Sequence, residues 1–148
     1  MTESQEKQYK ILFVDGDEMM RILFRDIFWV HGRGEHYEVC LAATLREAEG
    51  IIQNPETRPD IAVFGLQTPA EKGLLGTSSQ MKDTFEYIKK LKADSNLSGM
   101  KVIVFSGHDD PDFKKKLLSL GVSGYLVKGE LMPKEIISFV DSTVHGAN

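Results

Sequence analysis

Three polar side chains stand at the ends of short apolar runs. Asp15 follows Ile11-Leu12-Phe13-Val14, Ser106 follows Val102-Ile103-Val104-Phe105, and Lys128 follows Gly124-Tyr125-Leu126-Val127. If the chain brings these ends to one edge, the simplest chemistry is an ion pair. Asp15 and Lys128 would then each hold the other in its charged form. Ser106 would satisfy a hydrogen bond where its run stops. A fourth run, Ile61-Ala62-Val63-Phe64, ends in Gly65, and Asp15 is itself followed by Gly16. Glycine has no side chain, so neither position can supply a nucleophile or a metal ligand. Asp17 and Glu18 come next, at the start of a helical pattern, where a carboxylate complements the helix dipole.

The elements that would position these residues alternate regularly. The run Ile11–Val14 leads into a helix from Glu18 to Val30, with Met20, Leu23, Phe24, Ile27 and Val30 at the spacing of one buried face. His31-Gly32-Arg33-Gly34 ends it. Tyr37 to Ala42 reads as a second strand, and Thr44 caps a short helix to Gln53 with Glu47 at the capping-box position. After the strand Ile61–Phe64 comes a helix from about Thr84 to Ala93, with Phe85, Ile88 and Leu91 inward. The strand Lys101–Phe105 is followed by a helix capped by Asp110, with Pro111 at its first position and Phe113, Leu117 and Leu120 on its apolar side. Gly121 breaks that helix, Gly124–Val127 forms the fifth strand, and Pro133 to Val144 forms the last helix.

Strands of nearly continuous apolar character are buried on both faces, which requires a parallel sheet with helices on each side. The expected architecture is an α/β, doubly wound, flavodoxin-like fold. Its five strands run in the order 2-1-3-4-5, with the site at the carboxyl ends of strands 1 and 3. The chain divides into a tail over 1–9 and one domain over 10–146, interrupted by an insertion at about 70–82. Gly73, Gly76, Thr77, Ser78 and Ser79 suit a loop there, and Leu74, Leu75 and Met81 add apolar groups to it. Such a segment is either tolerated or serves as a lid or docking element.

Composition narrows the function. A length of 148 residues suits one domain with a real core, and a formal net charge of −4 offers no basic patch for nucleic acid. The lone Cys40 excludes an internal disulfide and fits a reducing, cytoplasmic setting. The polar stretch Met1–Lys10 lacks the apolar core of a signal peptide, and no apolar run is long enough to span a bilayer. The four histidines are scattered without metal-ligand spacing to Cys40, and Lys114-Lys115-Lys116 reads as a solvated helix face. Trp29 lies off the main apolar stripe of its helix, as a contact residue would.

Five segments together resemble the response-regulator receiver (phosphoacceptor) domains of two-component systems. They are Ile11–Asp15 with Arg21, Pro59-Asp60 before the third strand and Pro69 after it, Val102–Ser106, and Gly121–Lys128. The resemblance spans roughly Lys10 to His145. It implies an Mg²⁺-binding phosphoacceptor site made of two acids after strand 1 and a nucleophilic aspartate after strand 3, with a hydroxyl and a lysine on the phosphoryl oxygens. Carried across, Asp15, Ser106 and Lys128 remain as a remnant, while Gly16 and Gly65 stand at the second acid and the acceptor. Gly129 follows Lys128 where the family often has proline.

The resemblance therefore implies a degenerate, pseudo-receiver member. It would have no catalytic residue, no metal, no cofactor and no enzymatic activity, and would work as a phosphorylation-independent interaction module. Tyr125 with Ser106 resembles the family's coupled switch pair, and Tyr125, Phe113 and Leu117 fall on its signalling surface. Implied partners are proteins of a signalling pathway, a histidine kinase or an effector, with a homodimer as a further arrangement and neither nucleic acid nor membrane. Two alternatives stand beside this reading. One is a phosphorylatable receiver, either using a substitute acceptor or being a mutated form of an active one. The other, of a different class, is a small-molecule-binding flavodoxin-like protein, which the acids Asp15, Asp17 and Glu18 disfavour for an anionic ligand.

Overall fold

A computed structural model describes residues 8–31, 35–66 and 79–145. Five strand-then-helix units follow one another: β1 (Tyr9–Val14), α1 (Glu18–Val30), β2 (Tyr37–Ala42), α2 (Leu45–Gln53), β3 (Ile61–Leu66), α3 (Ser79–Ala93), β4 (Lys101–Ser106), α4 (Pro111–Ser119), β5 (Gly124–Val127) and α5 (Pro133–Val144). The strands form one parallel sheet in the order β2-β1-β3-β4-β5. This is the architecture expected from the alternation of apolar runs and helical patterns.

Alternate residues of each strand feed two cores. Leu12, Val14, Ala62, Phe64, Val102 and Val104 pack on the side of α2, α3 and α4. Ile11, Phe13, Ile61, Val63, Ile103 and Phe105 pack on the side of α1 and α5. Burial on both faces is what a near-continuous apolar run requires, and it fixes the register, since a slip by one residue would exchange the two cores.

Local capping sets where the helices start. Asp17 caps α1 by accepting from the Met19 amide at 2.9 Å, and Thr44 caps α2 by accepting from the Glu47 amide at 3.1 Å. The Glu47 carboxylate reaches back to the Ala43 amide at 2.7 Å. Asp110 caps α4 through the Phe113 amide at 3.1 Å, with Pro111 in the first turn.

Three expectations need correction. The buried face of α1 is Phe24, Ile27 and Phe28, whereas Leu23 and Val30 point to solvent. Aromatic packing decides this: Phe24 stacks on Phe13 at 4.2 Å between centroids, and Phe28 meets the edge of Tyr37 at 5.2 Å. Helix α3 begins at Ser79 rather than near Thr84, because Met81 and Thr84 are buried against the sheet and extend the helix one turn upstream. Strands β3 and β4 also run on to Leu66 and Ser106, so Gly65 lies inside a strand, paired with Phe105. Of the insertion expected at about 70–82, positions 70–78 lie outside the described residues, and the remainder is helix.

At the far side of the sheet, a Cβ added to Gly124 would clash with Cζ of the Phe139 ring of α5. Strand β5 and helix α5 thus meet at bare backbone.

Candidate functional site

The carboxyl ends of β1, β3, β4 and β5 bring Asp15, Gly65, Ser106 and Lys128 to one edge. Asp15 leaves β1 tethered by its amide, which donates to the Ala42 carbonyl at 3.0 Å. Its side chain is fully buried, and both carboxylate oxygens are engaged. Oδ1 accepts from the Asp17 amide at 2.9 Å, and Oδ2 accepts from Lys128 Nζ at 2.8 Å. The Asp15 carbonyl accepts from Arg21 Nη1 at 2.7 Å, which joins the first turn of α1 to the same edge.

Lys128 is placed by its own backbone, whose amide donates to the Ser106 carbonyl at 2.7 Å. Its ammonium also lies 6.0 Å above the Phe105 ring, at the edge of cation–π range. The next residue, Gly129, turns the chain with φ +87°, a conformation closed to proline. A buried charge is tolerated when it is paired and hydrogen-bonded, and Asp15 satisfies both conditions.

Gly65 is the reason that Asp15 can reach Lys128. A Cβ built on Gly65 would run into Asp15 Oδ2, and would lie 2.8 Å from its Cγ and 3.1 Å from its Cβ. The Asp15 side chain thus occupies the room that any side chain at position 65 would need. Gly16 differs: a Cβ there would meet only the Ala43 carbonyl, at 3.9 Å.

Ser106 forms the strand-end hydrogen bond expected of it. Its hydroxyl donates to the His108 carbonyl at 2.8 Å and accepts from the His108 amide at 3.3 Å. Tyr125, which is buried, donates its hydroxyl to that same carbonyl at 3.0 Å. Ser106 and Tyr125 are therefore linked through His108, a residue whose backbone role no side-chain pattern signals. Burial pushes the Tyr125 phenol up from its ordinary value, with partial relief from the Ser106 hydroxyl. Phe113 and Leu117, expected on an interaction surface, are buried instead. Phe113 packs edge-on against Tyr125 at 6.3 Å. The outward side of α4 carries Lys114, Lys115, Lys116 and Leu118.

A cleft of about 410 Å³ lies beside Gly65, bounded by Asp15, Gly16, Thr44, Gly65, Asp83 and Thr84. Thr84, expected at the start of the third helix, and Asp83 before it are not expected at the site, since nothing in their spacing marks them for it. The Mg²⁺ site that the resemblance implies does not fit the residues present. Asp15 has both oxygens committed, Asp17 caps α1, and no group of three metal-capable side chains exists among the described residues. No helix among them is long and apolar enough to cross a membrane.

The model of the response regulator receiver domain matches residues 11–141. No curated protein sequence matches the chain. Among solved structures, a CheY-like receiver domain protein from Methanospirillum hungatei JF-1 is 24% identical, with a TM-score of 0.70 over 95% of this chain and 96% of that one. The chemotaxis protein CheY4 of Vibrio cholerae is 23% identical, with a TM-score of 0.68 over 91% of this chain and 98% of that one. A LuxR-family two-component response regulator from Aurantimonas sp. SI85-9A1 is 24% identical, with a TM-score of 0.69 over 95% and 87%.

Proposed function

Because this chain belongs to the response regulator receiver domain family, a family of two-component signalling, we propose that it works there as a pseudo-receiver that accepts no phosphate. In this reading Gly65 stands at the acceptor position and Gly16 at the second acid. Asp15, Ser106 and Lys128 are then a remnant site closed by its own ion pair. The observation that carries the reading is the Asp15 carboxylate, seated in the side-chain space of Gly65 and bonded to Lys128. An acceptor needs an uncommitted oxygen nucleophile, whereas Gly65 carries none and the Asp15 carboxylate is engaged by Lys128 and the Asp17 amide.

Signalling then falls to surfaces. The Ser106–His108–Tyr125 link and the outer sides of α4, β5 and α5 form the interaction module, within one domain over 10–146 in the cytoplasm. Its partners are proteins of the pathway, a histidine kinase or an effector. A change of state arises when such a partner binds one conformation more tightly than another.

The test is incubation of the chain with acetyl phosphate and Mg²⁺, followed by intact mass. The expected outcome is an unchanged mass. An added phosphoryl group that is lost at high pH would show an acyl phosphate and overturn the proposal. Mg²⁺ binding at millimolar or tighter affinity that Asp15→Ala abolishes would overturn it equally.

A further inference from the structure

Helix α1 carries apolar residues on both sides, and among the described residues none covers the outer ones. Seven large apolar side chains are exposed among the described residues, and five of them, Met19, Ile22, Leu23, Trp29 and Val30, belong to α1. Met19, Trp29 and Val30 are 75%, 67% and 76% exposed, so they are not marginal cases. The outward sides of α3 and α4 carry Lys89, Lys90 and Lys114–Lys116 instead. Large apolar side chains exposed together on one side of a helix mark a contact surface.

The spacing of the outer residues suggests what covers it. Met19, Ile22, Asp26 and Trp29 recur at intervals of three, four and three, the spacing of a helix–helix seam, with Leu23 and Val30 beside it. Asp26 is the one charged residue in that seam. Covering it without a cation would leave an uncompensated charge, which is strongly unfavourable. A cation lies next to it: Arg25 Nε is 3.3 Å from Asp26 Oδ1, and both side chains are about half exposed.

Ile22 and Trp29 are equidistant in sequence from the Arg25–Asp26 midpoint. A two-fold axis at that midpoint, with two α1 helices antiparallel, sets Ile22 against Trp29 twice and Arg25 against Asp26 twice. One operation thus satisfies both the apolar and the charged positions, as a self-complementary interface requires. A groove of about 240 Å³ beside Trp29, bounded by Arg25, Phe28, Tyr37 and Val39, provides the recess next to that contact.

We propose that the outer side of α1 is an interface with a second copy of this chain, packed as an antiparallel two-fold helix pair across Arg25 and Asp26. The inference is independent of whether Gly65 stands at an acceptor position. Trp29 is the only tryptophan of the chain, so its fluorescence reports on this interface alone.

The experiment follows sedimentation equilibrium and Trp29 emission of the full chain from micromolar to millimolar concentration. The expected result is a monomer–dimer equilibrium with a shift of emission to shorter wavelength as dimer forms. Ile22→Glu, at an exposed position, abolishes both while leaving the circular dichroism spectrum unchanged. Arg25→Asp weakens the dimer by about tenfold or more, since it sets like charges against Asp26. The double exchange Arg25→Asp with Asp26→Arg restores it, because the pairing is reciprocal. A monomer at every concentration overturns the proposal. So does a dimer that leaves Trp29 emission unchanged or survives Ile22→Glu, and so does a double exchange that fails to restore association.

Discussion

The Asp15 carboxylate fills the space that a side chain at Gly65 would occupy, so one position has taken over the volume of the other. Gly65→Ala therefore cannot be a neutral change. Its Cβ must push Asp15 away from Lys128, with an expected cost of about 1–3 kcal/mol for overpacking a buried site. In a double-mutant cycle with Asp15→Ala, which vacates the space, a coupling of about 0.5–3 kcal/mol is expected by urea denaturation. Strictly additive effects would show that the two side-chain volumes do not compete.

Lys128 is the sole basic group bonded to the Asp15 side chain among the described residues. Lys128→Met leaves a fully buried carboxylate without its cation and is expected to cost about 3–5 kcal/mol. Adding Asp15→Leu removes the orphaned charge, and most of the loss should return. Thermal and urea midpoints of the two variants measured side by side check the order.

Ser106 and Tyr125 donate to one carbonyl, that of His108. Ser106→Ala or Tyr125→Phe alone leaves that oxygen one donor and should cost roughly 0.5–1.5 kcal/mol. The double variant strips both donors from it, and its loss should exceed the sum of the single losses. Equilibrium denaturation of the four proteins in the cycle gives the answer.

Two phenols should contribute to the alkaline side of the stability profile. Burial first, then the hydrogen bond and the charge of Glu49, hold Tyr87 above its ordinary value of 10.0, and burial raises Tyr125 from the same value. A raised phenol keeps its proton longer in the folded chain than in the unfolded one. Its contribution is therefore complete below about pH 10 and falls as pH rises through the folded value. Urea midpoints should decline above about pH 10, less steeply in Tyr87→Phe than in the parent. A decline of equal slope in both would show that Tyr87 is not a source of it.

The alternation of apolar runs and helical patterns was enough to read the sheet order, because buried parallel strands leave few other arrangements. The Asp15–Lys128 contact was also readable, since only a cation could accompany an acid at that edge. The seat of Asp15 above Gly65 was not readable, because a sequence does not say which way a carboxylate turns. The buried arc of α1 was misjudged for a related reason. With apolar residues on every side, periodicity cannot select between Leu23 and Phe28, and the stacking of Phe24 on Phe13 decides it. The start of α3 was missed because Met81 and Thr84 owe their burial to the sheet beneath them rather than to any capping signal.

The contact between Gly124 and the Phe139 ring has a mechanical consequence. Where two elements meet through side chains, rotamers can turn and absorb a small displacement. Here a ring rests on bare backbone, and close-packed interiors transmit strain rather than absorb it. A shift of β5 along its axis would therefore press directly on the Phe139 ring of α5. Tyr125, the next residue along β5, rides on that same rod.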